Sequence, residues 1–84
     1  MCTNIVHQVG VSGSGKGAQG WFALASAAVA YDHPSHADAE HAVTIDFVDR
    51  AGAIGQRVAV ELTVESARAL AEAILAATRD AERV

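Results

Sequence analysis

Apolar and polar residues alternate with a period of two over three stretches of this chain, and with a period near 3.6 over one. In residues 4–11, Ile5, His7, Val9 and Val11 fall on one face of an extended strand. In residues 42–48, Val43, Ile45 and Phe47 fall on one face, with Thr44 and Asp46 on the other. Residues 56–62 repeat the alternation, with Val58, Val60 and Leu62 inward and Arg57, Ala59 and Glu61 outward. Residues 21–31 are less regular. Their alanines favour helix, yet Trp21, Val29 and Tyr31 share odd parity while Phe22 and Leu24 share even parity. Between a glycine run and an Asp-His-Pro turn, the stretch reads as a fourth strand. The helical pattern runs from about Val64 to about Glu82, with Val64, Ala67, Leu70, Ala71 and Ile74 as its apolar stripe. Glu65, Arg68, Glu72, Arg79 and Asp80 form its solvated face. Thr63 suits the N-cap, and Glu65 sits where the helix dipole favours a negative charge.

The segments between are short. Residues 12–20 read as a glycine-rich loop and residues 49–55 as a turn. No repeat, linker or low-complexity tail divides the chain, which reads as a single domain over residues 1–84. Four strands on short connections predict an α+β fold: a four-stranded antiparallel β-meander with one C-terminal helix packed on one face. In such an up-down-up-down sheet, Cys2, the loop 33–41 and the Thr63 region converge on one rim. The glycine run belongs at the opposite rim. The second strand carries apolar residues of both parities, and one helix cannot cover both of its faces. A homo-oligomer, dimer or larger, is the expected remedy.

Composition strengthens that expectation. A chain of 84 residues buries only about 60% of its unfolded surface, so its core is marginal. Hydrophobic residues make up 51% of it, but many are alanines and only four are aromatic. Chains this small gain stability from a metal, a disulfide or a partner. With Cys2 as the one cysteine, no disulfide can form within the chain. The net charge of −4, with Lys16 the single lysine, argues against a nucleic-acid surface. No apolar run approaches the length of a membrane span, and the N-terminus lacks the pattern of a signal peptide. A cytoplasmic protein with no membrane or nucleic-acid partner is expected, and an unpaired cysteine fits a reducing compartment.

Candidate chemistry concentrates in Asp32-His33-Pro34-Ser35-His36-Ala37-Asp38-Ala39-Glu40-His41, which holds three of the four histidines. Neutral imidazole is the commonest protein ligand for transition metals. The leading reading is a metal site for Zn, Cu, Ni or Fe built from Cys2, His33, His36 and His41. Asp32, Glu40 or His7 would serve as an alternative ligand or would orient a ligating ring. Removal of Met1 would give Cys2 an amine beside its thiolate. Such a site could act as a Lewis acid or redox centre, or simply clasp the fold. The same residues also suit a solvated polar turn, and His7 suits a hydrogen-bonded core or interface position. A non-catalytic homo-oligomeric interaction module is therefore the alternative function.

Gly10-Val11-Ser12-Gly13-Ser14-Gly15-Lys16-Gly17 matches the first seven positions of the phosphate-binding pattern G-x-x-x-x-G-K-[ST]. The resemblance to P-loop proteins ends at Gly17, where the Mg²⁺-binding hydroxyl is missing. Gly13, Gly15 and Lys16 could instead form a nest of backbone amides for a small anion. A flexible hairpin loop is the plainer reading.

Val11 to Gly17 with Gly20-Trp21-Phe22, then Tyr31-Asp32-His33-Pro34, His36, Glu40-His41 and Ile45-Asp46-Phe47, resembles a family of small uncharacterised actinobacterial proteins. The similarity spans almost the whole chain. The resemblance implies no activity. Trp21 would stack on a ligand or anchor an interface.

Overall fold

The four strands form by antiparallel pairing with their neighbours, which sets the apolar positions of successive strands on one side. The computed structural model of the chain describes residues 5–32, 41–50 and 56–84. Strands β1 (Ile5–Gly17), β2 (Gly20–Asp32), β3 (Ala42–Asp49) and β4 (Arg57–Leu62) make one antiparallel sheet in the order β1-β2-β3-β4. Helix α1 (Val64–Ala81) follows and contacts β3 and β4. The fold is α+β, as the periodicity predicts.

Register explains the two faces. Three successive rows cross all four strands: Ile5–Tyr31–Val43–Leu62, His7–Val29–Ile45–Val60 and Val9–Ala27–Phe47–Val58. Residues opposite one another in an antiparallel ladder share a face, so these three rows are apolar except for His7, and beyond them the buried Asp49, opposite Leu24, adds a carboxylate to the same face. The other face holds Val6–Ala30–Thr44–Glu61 and Gln8–Ala28–Asp46–Ala59. There Arg57 Nε lies 3.2 Å from Asp46 Oδ1. That oxygen accepts no well-aligned hydrogen bond, so the contact is an ionic attraction between partly exposed groups, worth under about 1 kcal/mol.

The mixed parity of the second strand resolves into a β-bulge. Leu24 and Ser26 are two apart in β2, while their β3 partners Asp49 and Val48 are adjacent. Ala25 is therefore an extra residue, and it reverses the alternation. Even-numbered Phe22 and Leu24 come to share the face of Ala27, Val29 and Tyr31. Phe22, Leu24 and Ala27 are buried and form the core with Ala42. Trp21 turns the other way and stays 70% exposed.

The glycine run departs from expectation. Residues 12–17 are not a loop but the second half of β1, paired as Gly13–Leu24, Ser14–Ala23, Gly15–Phe22 and Lys16–Trp21. Only Ala18 and Gln19 turn the chain, and Gly20 follows at φ +108°, a conformation that costs glycine little. The sheet coils here so that β1 approaches β4. A Cβ at Gly15 would lie 3.1 Å from Leu24 Cδ2 and 3.5 Å from Val58 Cγ2. A Cβ at Gly17 would lie 3.1 Å from Phe22 Cε1. Glycine persists because two neighbouring side chains already occupy the space.

Thr63 caps α1 as predicted: its Oγ1 accepts from the Ser66 backbone N–H at 3.1 Å. Glu65 lies in the first turn and Arg79 in the last, both complementing the helix dipole. Yet no residue of α1 is buried. No helix among the described residues is long and apolar enough to cross a membrane.

Candidate functional site

Two regions bear on function: the rim where the histidines were expected to gather, and the apolar surface that α1 leaves open. The first row, Ile5–Tyr31–Val43–Leu62, puts the start of β1, the end of β2, the start of β3 and the end of β4 on one rim. Asp32 ends β2 opposite Ala42, the residue after His41. The His41 ring stacks on Tyr31 with centroids 5.2 Å apart and planes 14° from parallel. The stack puts His41 on the helix-side face, as its parity with Val43 predicts.

Cys2, His33, His36 and Glu40 lie outside the described residues. His7 is exposed one row in from the rim, opposite Val29. Among the described residues no three of His, Cys, Asp and Glu come together as a metal-holding group. Among the described residues the rim brings Asp32, His41 and Tyr31 together on neighbouring strand ends.

The anion nest expected of Gly13, Gly15 and Lys16 had a loop as its premise, and the strand replaces it. Successive amides of an extended strand point in opposite directions, so they do not converge on one anion. Lys16 and Trp21 instead flank a depression with Ser14, Gly15, Leu24, Phe47 and Val58.

The apolar surface is the larger feature. A groove of about 460 Å³ separates α1 from the sheet, between Val29, Val43 and Ile45 on one side and Val64, Ala67, Leu70, Ala71 and Ile74 on the other. Arg68 stands at its edge. The helical stripe thus faces the apolar side of the sheet, but at arm's length. Ile74 is 56% exposed and Leu75 57%. Ile5, Val9 and Tyr31 on the sheet are also exposed, and among the described residues no large side chain is fully buried. Monomeric proteins seldom leave so much contiguous apolar area in water. Sequence patterning located this face. It missed that, among the described residues, residues 5–10 are an uncharged strand edge with no strand beyond it, for which the absence of any Lys, Arg, Asp or Glu from residues 4–11 was the available signal.

The model of a family described as a family of unknown function (DUF6295) matches residues 1–84. No curated protein matches, and no solved structure matches.

Proposed function

We propose that this chain, which belongs to the DUF6295 family of unknown function, is a non-catalytic homo-oligomeric interaction module. One observation carries the reading: the apolar sheet face and the α1 stripe remain open together, with Ile5, Val9, Leu70 and Ile74 all exposed. A second copy supplies apolar surface of the same kind and removes both from water. The hydrophobic return is about 25 cal/mol per Å² of apolar area covered. The setting is the cytoplasm, which suits a single unpaired cysteine. Light scattering on untagged protein during size-exclusion chromatography tests it. A mass of two or more chains at micromolar concentration is expected. A monomer at every concentration up to the millimolar range overturns the proposal.

A second reading has its own observation. The β2–β3 register holds Asp32 and His41 at one sheet end, with the His41 ring fixed against Tyr31. This supports a transition-metal site (Zn, Cu, Ni or Fe) made of Cys2, His33, His36 and His41, with Asp32, Glu40 or His7 as neighbour or substitute ligand. Elemental analysis of the untagged protein decides it. Stoichiometric metal that is lost in both His33→Ala and His41→Ala supports the site. Fully folded, metal-free protein that takes up no added Zn²⁺ removes it.

A further inference from the structure

The sheet has two edges, and they differ. β4 carries Arg57 and Glu61 along its length. β1 behaves in two halves. Its second half bends toward β4, where Gly15 meets Val58 and Gly17 approaches the Arg57 carbonyl. Its first half, residues 5–10, pairs with β2 on one side. Among the described residues no strand lies on its other side. That half reads Ile-Val-His-Gln-Val-Gly, with no proline and no charge. Ile5 is 51% exposed, Val6 50% and Val9 52%, so apolar side chains stand in water on both faces. Natural sheets blunt a free edge with charge, proline, a bulge or a cover. This stretch has none of the first two, and the β1 bulge begins only after Gly10.

Resting on the homo-oligomeric reading above, we infer that residues 5–9 of β1 pair antiparallel with the same residues of a second copy, with His7 on the two-fold axis, joining two sheets into one of eight strands. The partner is a second copy because an uncharged, β-branched edge matches itself. Pairing β1 with the charged β4 of another copy would be head-to-tail, and a dimer made that way would leave one β1 edge uncovered. Symmetry then limits the register. Antiparallel edge pairing needs a two-fold axis normal to the sheet, which keeps both apolar faces on one side. Opposite residues must share a face, so the axis passes through a residue and not between two. With His7 on the axis, Ile5 faces Val9 of the second copy twice over, and Val6 faces Gln8. With Gln8 on the axis, Val6 faces Gly10, His7 faces Val9, and Ile5 falls opposite Val11, which lies in the irregular stretch of β1 between Gly10 and Gly13. The first register alone sets apolar side chain against apolar side chain within the regular part of the ladder, and the two apolar faces become continuous.

Cysteine cross-linking tests this register. In a Cys2→Ser background, His7→Cys puts two thiols opposite one another, at the Cβ separation of directly paired residues, about 4.5–5.5 Å. Under mild oxidation by oxidised glutathione it is expected to give covalent dimer at least tenfold faster than Gln8→Cys. Faster linking by Gln8→Cys overturns the register. No linking by either variant, while light scattering still reports an oligomer, overturns the edge pairing and leaves the oligomeric module standing. A monomeric native chain removes both. His7→Lys adds a second readout. It sets two ammonium groups side by side and should raise the dissociation constant at least tenfold with an unchanged circular dichroism spectrum. Ala59→Lys on β4 should leave it unchanged, and an equal effect there overturns the pairing.

Discussion

Glycine at single positions governs how tightly this sheet coils. Gly13, Gly15 and Gly17 alternate with Ser12, Ser14 and Lys16, a period of two that marks a strand whose inner face must be empty. The same residues look like a flexible loop when only their propensity is weighed. The three positions are not equivalent. A Cβ at Gly13 meets nothing within 4 Å, whereas one at Gly15 meets Leu24 and Val58. Gly13→Ala should therefore stabilise by about 0.5 kcal/mol, because it narrows the unfolded ensemble and strains nothing. Gly15→Val should destabilise by about 1–3 kcal/mol through overpacking. Urea midpoints of the two variants check the prediction, and equal shifts of the same sign would refute the coiled geometry. Ala25 makes a related point. Nothing about alanine announces a bulge, but the apolar residues of opposite parity on either side of it do. That doubled pattern, read alone, implied two apolar faces; the inserted residue turns them into one.

Helix α1 shows how little packing an element can have and still form. Its alanines, its N-cap and its dipole-complementing ends are local, so they were legible along the chain. Its docking is not local, and the groove beneath it keeps its stripe half in water. Nucleating a helix in water is unfavourable, so with little packing beneath it α1 leans on its cap. Thr63→Ala removes the acceptor for the Ser66 N–H and should cost about 1 kcal/mol. Because α1 has no buried residue, the loss should appear as faster amide exchange across its first turns, with the amides of β2 and β3 unchanged. Uniformly faster exchange across the sheet would mean that the helix is integral to the core.

A molecule with this much open apolar area has a stability tied to its own concentration. Binding that favours the folded chain adds stability by mass action. The melting temperature should rise when concentration is raised tenfold in the micromolar range, and the rise should shrink in His7→Lys. A melting temperature independent of concentration in both proteins would place the folded monomer alone in water. The rim belongs to this scale too. The row from Ile5 to Leu62 joins four strand ends from across the chain, and the up-and-down order of strands predicts that meeting. The stack of His41 on Tyr31 needed the register itself.

The alternation of side chains, the short connections and the Thr63 cap by themselves determined four strands, their order and the helix, because each depends on neighbours within a few residues. Only the tertiary structure decided that β1 runs on through the glycines, that Ala25 reverses the alternation, and that α1 stands off the sheet. Those outcomes depend on which side chains occupy the space between distant strands, and a period along the chain carries no record of that distance.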